Sequence, residues 1–476
     1  KGGGVGGHWS DVRAVSDKAP SPIPFIKVAD SAMTAYKQGQ TRKGSYAAYL
    51  DVSHPDIIEF LNIRIPSGGD SNRKCFNINN AVNISDDFMD RVSSDSDWDL
   101  IDPHDNTVRD TVRARELWER VLETRFRTGE PYIHFIDESN RKLPKPLKDK
   151  GLEIKGSNLC AEIILPTNSD RTAVCCLSSL NLEKFNDWKD STIVEDLIEM
   201  LDNVLTEFID HAPQPALFRA TSSAFTERSL GLGAMGFHSY LQANNIPWES
   251  AMAVGQNKRM FSLIKEKALN ATEELAERKG EYPYGKDSGK RNSHLLAIAP
   301  NANSGMIIGT SPSIEPLKSN SFVHKTRVGS HLVQNKHLQL VMEEHRLRLG
   351  KDSSWLEREW RNISHHQGSV QQLDYITDWE KDVFKTAFEL DQHWIVQHAA
   401  DRQVFICQSQ SVNLFFPAGS DKSYVNSVHL SAFNKKLKTL YYLRTSSTQI
   451  AENVGQRVDR VAIGDAAEDE CLACEG

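Results

Sequence analysis

Three side chains with complementary chemistry are spaced two residues apart in the middle of the chain. Asn158, Cys160 and Glu162 form the pattern Asn-x-Cys-x-Glu, directly before the apolar run Ile-Ile-Leu. On an extended segment, side chains at i, i+2 and i+4 point to one side, so an amide, a thiol and a carboxylate would face one pocket. That combination suits substrate activation by a redox sulfur and a proton acceptor. The alternative is a small buried cysteine at the end of a strand.

Two downstream patterns strengthen the chemical interpretation. Cys175 opens the strand-like stretch Cys-Cys-Leu-Ser-Ser-Leu-Asn-Leu, and Tyr441 and Tyr442 are adjacent in Lys-Thr-Leu-Tyr-Tyr-Leu. Neighbouring residues on a strand point to opposite faces. The tyrosine pair could therefore hand an electron and a proton through a wall of the fold. The alternative is ordinary aromatic packing in a strand.

The chain ends in a Cys-x-x-Cys pair, Cys471 and Cys474, which follows an acidic segment at 464–470 with little to bury. A dithiol on a mobile tail can exchange with a disulfide elsewhere and then be reduced outside. The alternative is half of a zinc site. No second Cys-x-x-Cys and no His-x-x-x-His completes such a site, so no metal site is predicted.

Taken in order, these motifs resemble a known family. Asn-Leu-Cys-x-Glu, Cys-x-Leu-Ser-x-x-Asn-Leu, Lys-Thr-Leu-Tyr-Tyr and a C-terminal cysteine pair are similar to those of the large, catalytic subunit of class I ribonucleotide reductase. The motif wording resembles bacteriophage and related bacterial versions. The resemblance runs over nearly the whole chain.

The resemblance implies a role for each residue at the reacting ribose. Cys160 would become the thiyl radical that removes the 3′ hydrogen, Glu162 would deprotonate the 3′ hydroxyl, and Asn158 would hydrogen-bond the sugar. Cys175 would be one of two cysteines that reduce the 2′ position and end as a disulfide. The substrates would be ribonucleoside diphosphates, and the reaction would make this chain an oxidoreductase of deoxyribonucleotide synthesis.

It also implies how radicals and electrons arrive. Tyr441 and Tyr442 would carry the radical from a small subunit with a diiron-tyrosyl centre, with Tyr441 nearer the active cysteine. Cys471 and Cys474 would re-reduce the active-site disulfide and pass the oxidation to thioredoxin or glutaredoxin. Effectors would be dNTP and ATP, and no cofactor is expected to be bound tightly by this chain. Cys176 and Cys407 match no role in the family and are predicted to be core sulfurs.

Two loops are candidates for nucleotide contacts. After the strand-like Leu295–Ile298, small polar residues open a helix, where free backbone N–H groups can meet an anion; an ordinary N-cap is the alternative. The family's matching loop holds the substrate diphosphate, and the matching residues are Asn301, Ala302, Asn303 and Ser304. Gln38 and Arg42, in a basic loop, match the positions that contact the specificity base; an ordinary surface loop is the alternative.

Two glycine motifs satisfy G-x-G-x-x-G, at Gly2–Gly7 and Gly231–Gly236. Neither has the strand, helix and acidic partner that dinucleotide binding requires. We expect the first to be the family's glycine-rich turn near its nucleotide sites, and the second to allow close packing of helices.

Helical and strand-like patterns alternate without repeats, which favours an α/β architecture. The predicted helices are 191–211, 113–128 stopped by Gly129, 257–279 ended by Gly280, and 379–399. The resemblance makes the fold a ten-stranded α/β barrel with Cys160 on a loop through its centre. We expect residues 1–445 to form this barrel and residues 446–476 to form the redox tail.

The resemblance also implies missing parts. The partner of Cys175 would lie on a first barrel strand before the glycine-rich start, and an N-terminal regulatory domain would precede it. We therefore expect a separate, complementary N-terminal chain of a split large subunit, and no activity without it.

Composition excludes several classes of protein. The net charge of −8 without a basic stripe argues against nucleic acid as the main partner. No apolar run reaches the length of a membrane span and no signal peptide is recognisable. The seven cysteines are an odd number, in a chain too long to need disulfide staples. A cytoplasmic protein is predicted, in the host cytoplasm if phage-encoded.

Two other functions stay open at this point. A glycyl-radical enzyme on the same barrel would need a glycine-radical motif near the C-terminus, where this chain has a dithiol. A non-catalytic nucleotide-binding or assembly protein derived from the enzyme would have no need of Cys160, Glu162 and both tyrosines.

Overall fold

The computed structural model describes residues 4–13, 21–38, 42–326 and 329–446. Strand pairing is dominated by short parallel segments separated by helices. The strands, in chain order, are β1 (Gly4–His8), β2 (Lys37–Gln38), β3 (Arg42–Lys43), β4 (Ser45–Asp51), β5 (Asn79–Ile84), β6 (Asp97–Ile101), β7 (Val108–Arg113), β8 (Tyr132–Phe135), β9 (Cys176–Asn181), β10 (Leu230–Met235), β11 (Ser321–Thr326), β12 (Gly329–Gln334), β13 (Leu414–Phe416), β14 (Thr439–Leu440) and β15 (Leu443–Thr445).

Helices alternate with these strands along the chain. They are α1 (Pro22–Ala35), α2 (Ile57–Leu61), α3 (Asp86–Ser94), α4 (Ala114–Thr128), α5 (Ile136–Arg141), α6 (Lys145–Lys148), α7 (Phe185–Trp188), α8 (Ile193–His211), α9 (Phe218–Glu227), α10 (Phe237–Ala243), α11 (Ala251–Lys279), α12 (Ala302–Ile308), α13 (Lys336–Arg348), α14 (Ser353–His365), α15 (Asp378–Val383), α16 (Gln392–Gln403) and α17 (Lys422–Asn434). Among the described residues, no helix is both long and apolar enough to cross a membrane.

Five strands form the first sheet, in the order β1-β4-β5-β8-β14. The first four run parallel, and β14 pairs antiparallel with β8. Strands β5 and β8 are buried along almost their whole length. Burial on both faces is typical of parallel strands that are covered by helices on one side and by packed chain on the other.

The hydrogen-bonded run continues beyond β14. Tyr441 N donates to Val412 O at 2.8 Å, and β13 pairs parallel with β15. Parallel bridges join the segment 408–412 to 295–298, and 295–298 to β10, which pairs parallel with β9. In the described part of the chain, the extended segments thus follow one another in the order β1, β4, β5, β8, 439–445, 410–416, 295–298, β10 and β9. These segments supply nine of the ten strands predicted.

Two apolar cores lie between this run of strands and its helices. The first joins β5 to α3, α4 and α17, through residues such as Val82, Trp118 and Val428. The second joins β9 and β10 to α8 and α11, through residues such as Leu232 and Ile198. Each helix contributes one apolar stripe to its core, which is what the 3–4 spacing in the sequence predicts.

The helix predictions hold where one apolar stripe continues without a break. Helix α8 covers the predicted segment from Ile193 onward. Helix α4 ends at Thr128 as predicted, and Gly129, with a φ of +82° in the left-handed region, caps it. Helix α11 begins at Ala251, six residues earlier than predicted, because the Ser250 side chain accepts from Ala253 N and caps it there.

The prediction of one helix over 379–399 is wrong. The segment forms α15, which ends at Val383, and α16, which begins at Gln392. Asp391 caps α16 by accepting from His393 N, and the Glu389 carboxylate accepts from the backbone N–H at 386. Two acidic side chains thus bind backbone N–H groups that a continuous helix would use internally.

The described part of the first glycine motif lies in β1 and most of the second lies in β10, so the predicted turn and the predicted helix contact are wrong. A Cβ on Gly6 in β1 would lie 1.8 Å from Ser157 O, and a Cβ on Gly233 in β10 would lie 2.5 Å from Ala297 O. These glycines let neighbouring backbone approach the strands closely. Ser157 begins the loop that carries Cys160, so β1 directly supports that loop.

We predict that Gly6→Ala destabilises the protein by about 1–3 kcal/mol, because the added methyl group must displace the backbone of the Cys160 loop. Gly255→Ala is the matched control: nothing lies within 4 Å of its Cβ position in α11, so the alanine should stabilise by about 0.5–1 kcal/mol. The measurement is the shift in thermal midpoint of each variant. Equal shifts would contradict the close approach of β1 to the loop.

Candidate active site

The Asn158–Glu162 segment is a tight loop rather than the extended strand that the spacing predicted. Ala161 has a φ of +66°, in the left-handed region. Asn158 N donates to Ile163 O at 3.1 Å, and Ile163 N donates back to Asn158 Oδ1 at 3.1 Å. The asparagine side chain thus closes the loop itself, as short amide side chains often do in turns. The one-sided i, i+2, i+4 geometry is therefore wrong.

The loop nevertheless lies inside the protein and brings Cys160 into a buried cluster. Cys160 is 0% exposed and belongs to one buried cluster with Tyr49, Tyr132, Tyr441 and Tyr442. Tyr49 OH donates to Asn158 O at 3.0 Å, which anchors the loop to β4. Four tyrosines therefore share one buried cluster with the cysteine.

Glu162 is also buried, on the other arm of the loop, against the segment 408–411. Ser411 Oγ donates to Cys160 O at 2.6 Å and lies 3.3 Å from Glu162 Oε2. Ser409 N donates to Glu162 O at 2.9 Å. One short segment therefore holds both the cysteine backbone and the carboxylate.

Sequence reasoning missed this Gln-Ser-Gln-Ser segment. Gln408, Ser409 and Ser411 are 0%, 1% and 8% exposed. Four consecutive polar residues between the apolar Ile406 and Val412 were the available signal. Buried polar side chains need hydrogen-bond partners, and those of Gln408 and Ser411 find them in the active loop and the arm that follows it.

Cys175 lies directly before β9 and packs against Ile163 and Leu165, in the arm that follows Glu162. Gln408 Nε2 donates to its Sγ at 3.4 Å. Burial raises the pKa of the Cys175 thiol well above its usual value. Cys176 packs instead into the second core, and burial raises its pKa to about 11. The prediction that these two cysteines face opposite sides is confirmed.

The two tyrosines do not point to opposite sides of a strand. Regular pairing stops between β14 and β15, and Tyr441 and Tyr442 lie in one cluster with ring centroids 4.2 Å apart. Tyr132, which the sequence analysis did not identify, contacts both rings, with centroids at 4.7 and 5.1 Å. Asn79 Nδ2 donates to Tyr442 OH at 2.9 Å, and the Arg444 guanidinium lies 4.5 Å from the Tyr442 ring centroid.

A buried arginine holds the backbone next to this cluster. Arg125 Nη1 donates to Tyr441 O and to Pro131 O, each at 2.6 Å, and so joins the segment that carries Tyr441 to the start of the strand that carries Tyr132. Its Nε donates to His429 Nε2 at 3.1 Å. That geometry requires a neutral histidine that keeps its proton on Nδ1, which faces the carbonyl at 425. Burial lowers the pKa of Arg125 to about 9 and that of His429 to about 3.

Comparison with known proteins decides the family. A family model described as "Ribonucleotide reductase, barrel domain" matches residues 1–286 and 284–443. A Frog virus 3 protein is 51% identical over 477 residues, covering 100% of this chain and 82% of the relative. The ribonucleoside-diphosphate reductase large subunit of Invertebrate iridescent virus 3 is 43% identical, covering 100% of this chain and 83% of the relative. The chain belongs to the ribonucleotide reductase large-subunit family.

A solved structure agrees with this assignment. The Actinobacillus ureae class Id ribonucleotide reductase alpha subunit superposes with a TM-score of 0.81 at 36% identity, covering 93% of this chain and 78% of that one. The predicted ribonucleotide reductase barrel is therefore confirmed. The viral relatives agree with a viral context, whereas the bacteriophage-like wording of the motifs stays a prediction.

Within the ribonucleotide reductase fold, the predicted phosphate loop lies at the start of α12. Asn301 is the N-cap residue but makes no side-chain cap. Its N–H donates to Ser313 Oγ at 2.9 Å, and Ser179 Oγ, on β9, donates to its Oδ1 at 3.2 Å. The loop is thus tied to the strand that follows Cys175. Its role in binding phosphate stays a prediction.

Some of the remaining predicted site residues lie outside the part of the chain that the structure describes. The backbones of Gln38 and Arg42 face each other in the antiparallel pair β2 and β3 after α1, but their side chains lie outside the described residues. Cys471 and Cys474 also lie outside them. Cys407 is a core sulfur as predicted, and its Sγ accepts from the backbone N–H groups at 295 and 296.

We predict that stability falls as the pH drops below about 6.5, because buried histidines stay neutral in the folded ribonucleotide reductase chain. Burial lowers the pKa of His134 and of His429 to about 3, whereas an unfolded histidine titrates near 6.5. Between these values the unfolded chain binds more protons than the folded chain. Each of these histidines therefore lowers the free energy of unfolding by about 1.4 kcal/mol for each pH unit of acidification. Urea unfolding at pH 7 and 5.5 measures how the free energy of unfolding changes with pH. His429→Gln should make that change smaller. A slope unchanged in that variant would contradict the prediction.

Proposed function

We propose that this chain reduces ribonucleoside diphosphates to deoxyribonucleoside diphosphates through a thiyl radical at Cys160, as a large subunit working with a radical-generating small subunit. The observation that carries the proposal is the position of the Cys160 loop. One side of the loop packs on the tyrosine cluster, and its other arm packs on Cys175 and on the segment 408–411. A source of radicals and a source of reducing electrons thus meet at one loop.

The loop residues divide the work on the ribose. Cys160 removes the 3′ hydrogen atom, and the Glu162 carboxylate accepts the 3′ hydroxyl proton as general base. Asn158 Oδ1 is occupied by Ile163 N, so the amide N–H groups are the part that it offers to the sugar. Asn301, Ala302, Asn303 and Ser304 hold the diphosphate in this proposal.

Reduction at the 2′ carbon needs two electrons and two protons, and the 2′ oxygen leaves as water. Cys175 supplies one thiol, and a second cysteine supplies the other, with a disulfide as the product. Cys471 and Cys474 then reduce that disulfide by exchange and are themselves reduced by thioredoxin or glutaredoxin. A complementary chain that carries the second cysteine stays a prediction.

The tyrosine cluster is the proposed route for the radical. The contact between the Tyr441 and Tyr442 rings and their shared cluster with Cys160 support a path from Tyr442 through Tyr441 to the sulfur. In this proposal the small subunit's diiron-tyrosyl centre supplies the radical. The dNTP and ATP effectors act on the base-specificity loop that contains Gln38 and Arg42.

We predict that Cys160→Ser lowers the rate of nucleotide reduction by at least about 1,000-fold, because a hydroxyl cannot replace the thiyl radical; this is about 4 kcal/mol of lost catalysis. The matched control is Cys176→Ser, whose sulfur packs in the second core. Turnover of the enzyme assembled with its small subunit is measured with dithiothreitol as reductant. Appreciable turnover in the Cys160 variant would refute the radical assignment.

We also predict that Tyr441→Phe and Tyr442→Phe each abolish turnover, because phenylalanine keeps the ring but has no phenolic O–H to oxidise. Tyr240→Phe is the matched control, since Tyr240 is a buried, hydrogen-bonded tyrosine in the second core. Circular dichroism melting checks that the variants fold. An active Phe variant at either position would assign the pair to packing alone.

A further inference from the structure

Gln408 is a buried glutamine whose side chain touches the loop of Cys160 and the sulfur of Cys175 at once. Its Oε1 accepts from Ile164 N at 3.2 Å, and its Nε2 donates to Leu230 O at 2.9 Å and to Cys175 Sγ at 3.4 Å. Every polar atom of the carboxamide is therefore used. Neither the sequence motifs nor the roles derived above account for this residue.

The orientation of the carboxamide is fixed by its partners. The backbone N–H of Ile164 can only donate, so it must face Oε1. The carbonyl of Leu230 can only accept, so it must face Nε2. An amide flipped by 180° would lose both bonds, and the side of the amide that meets Cys175 is therefore an N–H donor.

The backbone of Gln408 is held equally firmly. Its N–H donates to Leu296 O at 3.1 Å, and its carbonyl accepts from Lys438 Nζ at 2.7 Å and from Gln403 Nε2 at 3.0 Å. These bonds join the segments 295–298 and 438–445 to the glutamine. A donor held on both sides loses little entropy when it binds an anion.

The surroundings of the Cys175 sulfur otherwise oppose a negative charge. Burial and the neighbouring groups Cys176, Glu162 and Cys407 all raise the pKa of the Cys175 thiol, and the Gln408 hydrogen bond acts in the opposite direction. A hydrogen bond to an anionic acceptor is stronger than one to a neutral acceptor, so the amide favours the thiolate over the thiol.

We propose that Gln408 is a catalytic residue that donates a hydrogen bond to the anionic Cys175 sulfur when the active-site disulfide is opened. This inference rests on the proposed function. An external dithiol attacks the second sulfur as a thiolate and forms a new S–S bond there. The old S–S bond breaks, its electron pair goes to Cys175 Sγ, and that thiolate later takes a proton from water. Gln408 stabilises the leaving sulfur in this step.

The same side chain binds the Cys175 sulfur and the backbone that follows the Cys160 loop. Oε1 binds the arm that follows Glu162, and Nε2 binds the sulfur that receives electrons. One rigid planar group therefore contacts both segments.

The test is the pH dependence of alkylation of Cys175 by iodoacetamide in the reduced full-length chain, read by mass spectrometry. We expect Gln408→Leu to shift the plot of the Cys175 alkylation rate against pH to higher pH by about one unit. At any pH below the pKa of the thiol, the rate should then be roughly ten-fold lower. Cys176, in the same peptide, is the internal reference and should keep its profile. Gln408→Glu keeps the acceptor for Ile164 N, removes the amide donor, and should shift the profile in the same direction if the leucine variant does not fold.

Gln403→Leu is the matched control, because Gln403 bonds the carbonyl of Gln408 but has no contact with the sulfur. Its Cys175 profile should stay that of the parent chain. An unchanged profile in a folded Gln408 variant, or an equal shift at Cys176 or in Gln403→Leu, would overturn the proposal. Alkylation needs no turnover, so a lack of reductase activity in the wild-type chain, assembled with a complementary chain and the small subunit, would refute the proposed function and leave this result standing.

Discussion

A loop of polar backbone can lie inside an apolar barrel only if its N–H and C=O groups find partners there. The loop from Ser157 to Ile163 meets this requirement in two ways. Asn158 closes the turn internally, and Tyr49, Ser409 and Ser411 bind the outward-facing carbonyls. An unsatisfied buried polar group costs about 1–3 kcal/mol, so these bonds hold the loop in one position. The chemistry proposed for Cys160 depends on that single position.

The strands around the loop supply partners of two kinds. Strands of the first sheet and the segment 439–445 supply aromatic rings, whereas the segments next to β9 and β10 supply amides, hydroxyls and sulfur. In the proposed function, the aromatic rings exclude water from the side where the radical passes. The hydrogen-bonding groups lie on the side where that proposal moves protons and electron pairs. The division follows from which strand each residue occupies.

The arrangement also explains why charges lie deep in this protein. Arg125 is buried between Pro131, Tyr441 and the neutral ring of His429, and Lys438 is buried against the carbonyls of Cys407 and Gln408. Each cation ties a carbonyl of one strand to a second strand or helix. Burial lowers the pKa of Lys438 to about 8, which shows the cost of placing an amine there. The two cations act as cross-links that hold the strands of the site in register.

The sequence by itself determined the types of reactive group, the helices α4 and α8, and the opposite faces of Cys175 and Cys176. These depend on neighbours within a few residues, such as the glycine that ends α4 or the period of a strand. Through its motifs it also indicated the family.

Tertiary structure decided the rest, because the decisive bonds join residues far apart in the chain. It made the Asn158–Glu162 segment a loop, since strands distant in sequence bind that backbone. It placed Tyr441 and Tyr442 in one cluster with Tyr132, and it made Gln408 and Ser411 part of the site. It split the predicted helix at 379–399, where Asp391 capped a new one. Hydrogen bonds across hundreds of residues leave no periodic trace in a sequence, so only the folded chain shows them.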